Sequence, residues 1–204
     1  IMLGSHGLFT WGDTSYECYV NTLEVIEKCA EFIESKTSTV FGGARISSFS
    51  AEERVAKAAA LAPVLRGFCS SHVQMVGHFS DDERVLQFIN SNDLDRLAPL
   101  GTSCPDHFLR TKISPMVLDT PADASVEDVI ARAHELHEKY RETYATYYKK
   151  YAKPESPAMR GADPLIILVP GVGMFSYGKD KQTSRVAGEF YINAINVMRG
   201  AESV

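Results

Sequence analysis

The 204-residue sequence predicts a layered α/β/α fold, a sheet flanked by helices, and three observations carry that expectation. Leu165 to Val169 (LIILV) is a wholly apolar run, the pattern of a strand covered on both faces. Strand-like runs alternate along the chain with stretches of three- and four-residue periodicity, as they do when helices pack on a sheet. A strand, a glycine-punctuated turn and a helix also follow one another twice, once at each end of the sequence.

Taken in order, Ile1 to Leu3 read as the end of a buried strand and Gly4 to Gly12 as a turn. Asp13 or Thr14 then caps a helix. Tyr16, Tyr19, Val20, Leu23, Ile26, Ala30 and Ile33 give that helix one apolar face, which runs to about Ser35. Residues 37–50, rich in Thr, Ser and Gly, read as a linker. Ser50 with Glu53 forms a capping-box pattern that opens a second helix, ending near Cys69. Val73 to Phe79 is β-rich, a helix begins near Asp81 and Asp82 and ends around Asn92, and Leu94 to Pro105 is irregular. Thr111 to Leu118 is strand-like around Pro115. Ser125 caps the longest helix, whose stripe of Val126, Val129, Ile130, Ala133, His137, Tyr140, Tyr144 and Tyr147 reads as core and interface packing until Pro154 stops it. After the LIILV strand come a glycine-rich turn and a closing helix from about Lys179 to Met198.

The two ends align without gaps when Gly7 is set on Gly173. Gly7/Gly173, Phe9/Phe175 and Gly12/Gly178 are identical, and Thr10/Ser176 and Trp11/Tyr177 are swaps of similar shape. His6 faces Val172, so the second copy lacks the imidazole. Residues 1–36 therefore read as the closing strand, turn and helix of one unit, and residues 51–204 as a second, degenerate unit of the same kind.

Composition narrows the function classes. Hydrophobic residues at 45% and charged residues at 23% describe a globular chain with enough apolar material for a core. No apolar run reaches the ~20 residues that span a bilayer and no signal peptide is recognisable, so no membrane partner is expected and the default location is cytoplasmic. A net charge of -5 with dispersed basic residues argues against nucleic acid as a partner. Cys18, Cys29, Cys69 and Cys104 form no CxxC pair and read as reduced thiols.

A histidine beside a glycine at a strand end can present a ring nitrogen to a cavity, which suits a metal ligand, although a satisfied core histidine fits the same spacing. The stretch from Ser5 through His6 to Gly12 (SHGLFTWG) resembles the HG turn of the class II aldolase and epimerase family of zinc sugar-phosphate enzymes. The resemblance implies His6 as one zinc ligand, completing a set begun by an upstream HxH. This sequence contains no HxH, and the family's acid/base carboxylate is missing too, so His6 is the only metal residue carried over. Longer stretches, Gly101 to Pro115, Ser156 to Arg160 and Val169 to Ala201, resemble the central part of bifunctional rhamnulose-1-phosphate aldolase/alcohol (lactaldehyde) dehydrogenases. That resemblance implies zinc in an aldolase half and NAD in a short-chain dehydrogenase domain, of which neither the TGxxxGIG turn nor the YxxxK pair is expected in this sequence. It also implies a sugar phosphate as partner of the parent enzyme, and a chain inactive on its own. Two rival readings make the second unit a scaffold, extending to a homo-oligomer, or a small-ligand module. For the latter, Gly171 and Gly173 follow a strand and can offer amides to an anion. Thr102, Asp106, His107, Arg110 and Lys112 gather polar groups around Pro105 that would line a sugar or phosphate pocket. His134 and His137, three apart on a helix, are a further weak metal pair, whereas His72 and His78 lie too far apart on a strand to share an ion.

Overall fold

A computed structural model describes residues 1–4, 7–36, 39–121 and 123–204. Its centre is a four-stranded sheet of β3 (Val76–Ser80), β4 (Met116–Val117), β5 (Ile166–Val169) and β6 (Gly173–Gly178), in the order β3-β6-β5-β4. The β3–β6 and β5–β6 pairs are antiparallel, and β4–β5 is parallel.

Side chains alternate across a strand, and here both faces are buried. Ile166, Leu168 and Met174 face a core built with α3 (Glu83–Ile89), α4 (Leu94–Leu97) and α7 (Lys181–Glu202). Ile167, Val169, Phe175 and Tyr177 face a second core with α2 (Ala51–Phe68) and α6 (Val126–Tyr151). The predicted three-layer α/β/α arrangement is therefore the observed one. The remaining helix of this region, α5 (Pro105–Thr111), packs on α7.

Caps set the helix starts where the sequence puts them. Ser50 and Glu53 exchange hydrogen bonds at the start of α2, and Ser125 accepts from the Asp128 amide at the start of α6. The segment before α2 is anchored to the sheet unit: Phe41 is 2% exposed and packs edge-on against Phe88, with ring centroids 5.1 Å apart.

The structure revises several elements: Leu94–Leu97 is helical inside the stretch expected to be irregular, Pro105–Thr111 is a helix where none was expected, and Gly7–Leu8 is a short strand inside the expected Gly4 to Gly12 turn. The glycine-rich GMFSYG predicted as a turn is strand β6, buried along its whole length, and only residues 170–172 turn the chain. Its glycines answer to close packing. A Cβ on Gly173 would lie 2.7 Å from the Ser80 carbonyl oxygen, and one on Gly178 2.5 Å from the Ser184 amide nitrogen.

The terminal repeat is geometric as well as sequential. β1 (Met2–Leu3) pairs with β2 (Gly7–Leu8) as Met2↔Leu8 and Leu3↔Gly7, and β5 pairs with β6 as Leu168↔Met174 and Val169↔Gly173, the same register under the Gly7/Gly173 alignment. Gly12 approaches the Cys18 amide of α1 (Ser15–Glu34) as Gly178 approaches that of Ser184. The first copy is not packed like the second. β1 is exposed, and the apolar face of α1 leaves Tyr16, Tyr19, Leu23 and Ile26 open, each about half exposed or more.

Candidate functional site

A cleft of about 520 Å³ lies between α5, α6, the stretch after α2 and the segment that runs into β5. This size suits a small organic ligand. Phe108, Leu109 and Ile113 form one wall, Tyr144, Tyr147 and Tyr148 another, and Pro157 to Gly161 a third. Cys69, His72, Val73 and Met75 close the base and rim.

Lys112 lies within this lining. It ends α5 with φ 62° and ψ -175°, a backbone region that almost only glycine visits, at a cost on the order of 1–3 kcal/mol. Its ammonium donates to the Gly161 carbonyl at 3.0 Å and sits 4.1 Å from the centre of the Tyr144 ring. Burial strips water from the amine and brings its pKa from 10.5 down to about 8, with nearby Asp163 pulling weakly the other way. A lysine that is both backbone-strained and desolvated breaks two local rules at once, which is where function is expected in a fold.

Behind it, Asp163 pins the third wall to the helices. Its carboxylate accepts from the Ser71 amide at 3.1 Å and the Ser71 hydroxyl at 2.6 Å, pairs with Arg141, and lies 3.2 Å from His137 Nε2. Burial raises the carboxyl, but the hydrogen bonds from Ser71, Arg141 and His137 outweigh it and hold Asp163 below the ordinary carboxylate range. His137 also stacks on Phe68, with centroids 5.1 Å apart. The Cys69 thiol is pushed up by burial and is therefore a protonated, weakly reactive group.

Of the residues expected to line a ligand pocket, Thr102, Asp106, His107, Arg110, Lys112, Gly171 and Gly173, only Lys112 lines the cleft. Thr102 turns its hydroxyl to the Cys104 carbonyl, Asp106 and Arg110 are exposed, and His107 packs against Phe190 of α7 with ring centroids 4.5 Å apart. Those five therefore do not form one pocket. Gly171 cannot offer its amide to an anion, because the amide already donates to Asn90 Oδ1 at 2.7 Å inside the core. Gly173 is packed against Phe79 within the hairpin, and strand β6 separates both glycines from the start of α7, so no anion-binding helix terminus follows that turn. His6 lies outside the described residues. No three His, Cys, Asp or Glu side chains converge for a metal among the described residues, and His134 and His137 both turn to Phe68 instead. The described residues therefore do not fit a zinc site.

Several cleft residues escaped sequence reasoning. Tyr144 and Tyr147 carried the period of a core face and line the cleft instead, and nothing local marked Arg160 or Asp163. The Tyr-x-x-x-Lys pair of short-chain dehydrogenases, expected to be absent, does occur as a spacing at Tyr177 and Lys181. Tyr177 is 1% exposed and faces the core, while Lys181 is exposed at the start of α7, so the two form no site.

Comparison with known proteins supplies a family. The chain matches the family described as aldolase class II, second domain, over residues 56–204. It is 32% identical over 207 aligned residues to a Bacillus subtilis (strain 168) protein named "Uncharacterized oxidoreductase YuxG". That alignment covers all of this chain and 30% of the relative, so the chain spans under a third of the relative's length. No solved structure matches.

Proposed function

The chain belongs to the aldolase class II second-domain family, and from that premise we propose that it is the aldolase-like middle unit of a bifunctional, cytoplasmic sugar-catabolic enzyme. In this reading the parent joins a zinc-dependent ketose-1-phosphate aldolase to an NAD-dependent short-chain dehydrogenase, and residues 1–36 close the aldolase half. The carrying observation is the repeated hairpin and helix, in which Val172 stands where the first copy has His6. The second copy keeps the scaffold of a zinc turn and lacks the ligand. The word oxidoreductase in the name of the much longer Bacillus subtilis relative supports the dehydrogenase component. This unit performs no aldol chemistry of its own.

A second reading, a scaffold or oligomerisation unit, is favoured by the open apolar face of α1. Metal analysis and a rhamnulose 1-phosphate cleavage assay of the 204-residue chain separate the possibilities. Both are expected to be blank, whereas a longer gene product carrying an upstream HxH cleaves the ketose phosphate. Stoichiometric zinc with turnover in the 204-residue chain alone would overturn the proposal. Mass measurement in solution reads the scaffold role, which predicts a defined oligomer.

A further inference from the structure

We propose that the cleft around Lys112 binds an amphipathic anion, a carboxylate or phosphate carried on a flat apolar body, with Lys112 and Arg160 taking the charge and the tyrosines of α6 taking the body. This inference stands apart from the zinc and dehydrogenase reading above.

Arg160 and Lys112 both line the cleft, and neither has a carboxylate partner among the described residues. Lys112 holds only a carbonyl and a ring face. The one carboxylate in the lining, Asp163, is already committed to Arg141, Ser71 and His137. Two uncompensated cations thus share a concavity in a chain whose net charge is -5. Arg160 is exposed, whereas Lys112 is partly desolvated, and such a buried cation is costly to keep unless an anion meets it.

The walls decide what carries the anion. Phe108, Ile113, Tyr147 and Met159 offer apolar and aromatic surface, and the Tyr148 hydroxyl is already spent on the Pro157 carbonyl at 2.5 Å. A bare sugar phosphate would leave its hydroxyls against these walls, at about 1–3 kcal/mol for each one unpaired. A flat apolar body meets no such penalty and gains aromatic contact.

The anion is read by a group that titrates. Cys69 from the end of α2, Tyr144 and Arg141 from α6, Asp163 from the segment before β5, and His72 and Arg160 from the flanking loops surround Lys112. Burial pushes both Cys69 and Tyr144 up, so neither thiol nor phenol competes as an anion near neutral pH. Free Lys112 loses its proton near pH 8, and affinity for an anion should fall as pH rises through that point.

The test is calorimetric titration of the whole chain with phenyl phosphate, phenylacetate, glycerol 3-phosphate and benzyl alcohol. Phenyl phosphate or phenylacetate should fill one site, with glycerol 3-phosphate and benzyl alcohol each about tenfold weaker or more, the loss of one half of the recognition. Lys112→Met and Arg160→Gln should each weaken the aromatic anion about tenfold, the worth of one hydrogen bond to a charged group. Circular dichroism and thermal unfolding confirm that both variants are folded. Raising the pH from about 7 to about 9.5 should weaken binding to the wild-type chain and leave Lys112→Met unchanged. Absence of binding by either aromatic anion overturns the proposal, as does glycerol 3-phosphate binding as tightly as phenyl phosphate. Undiminished binding in a folded Lys112→Met overturns it as well.

Discussion

The hydroxyl of Ser176, buried in β6, donates to the carbonyl of Ser184 at 2.7 Å, and it fills the space above Gly188. Near the other end of the chain, Thr10 places its hydroxyl 3.3 Å from the Cys18 carbonyl, the same bond under the alignment of the two repeats. A hydroxyl three residues after the aligned glycine, tied to the first turn of the following helix, is thus part of the repeated unit.

The Ser176 contact makes a double-mutant prediction. A Cβ on Gly188 would sit 2.8 Å from Ser176 Oγ, whereas its next neighbours lie at ordinary contact distances of 3.5 and 3.6 Å. Gly188→Ala alone should therefore destabilise the fold by about 1–3 kcal/mol through overpacking. Ser176→Ala alone should cost about 1 kcal/mol for the lost hydrogen bond. Combined, the alanine at 188 has room, and its better helix propensity, worth up to about 1 kcal/mol over glycine, is recovered. Urea unfolding of the four proteins should show a coupling of more than about 1 kcal/mol. Simple additivity would mean that Ser176 is not what excludes a side chain at Gly188.

Asp163→Asn should loosen the third wall of the cleft. The carboxylate holds Ser71, Arg141 and His137 together, and an amide has one accepting oxygen and an NH2 that only donates, so the expected loss is about 2–3 kcal/mol. Because Asp163 is held below its ordinary value, it stabilises the fold above the unfolded carboxyl value of 3.8, and that stabilisation disappears as pH falls through its folded value. Unfolding followed from about pH 6 to about pH 3 should show a shallower acid slope in the variant. An unchanged slope would mean that Asp163 does not gain from its partners.

What the sequence made legible follows from the range of the interactions involved. The starts of α1, α2 and α6 were readable because Thr14, Ser50 and Ser125 act on amides within three residues. The layered fold followed from LIILV and from the alternation of elements, both local patterns. Strand β6 was not legible: it is buried on both faces, so it lacks polar alternation, and its flanking glycines imitate a turn. The cleft was hidden for another reason. It exists because the segment ending at Asp163 folds back to Ser71, 92 residues away in sequence, and to Arg141 on α6. No local period encodes such a contact. Tyr144 shares its helical face with Tyr140, which is truly packed and bonds the Ser114 carbonyl, so the stripe looked uniform while its C-terminal part lines the cleft.

Lys112 makes the last prediction, on stability at alkaline pH. In the unfolded chain its amine keeps the ordinary value of 10.5, and in the folded protein burial brings it down to about 8. Between those values the unfolded state binds the proton and the folded state does not, so stability rises with pH across this window instead of falling. The contribution is opposite in sign to that of a lysine in an ion pair, whose folded value is raised. Lys112→Met removes the titrating group, and its replacement packs against the same Tyr144 ring. Guanidinium unfolding at about pH 7.5 and about pH 10 should show a larger gain in stability on going to high pH for the wild-type chain than for the variant. The difference measured at pH 7.5 then reports the cost of keeping the ammonium charged in the cleft, and addition of phenyl phosphate to the wild-type chain should reduce it, since a bound anion offsets that cost. Parallel pH profiles for the two proteins would show that Lys112 is solvated as an ordinary surface lysine.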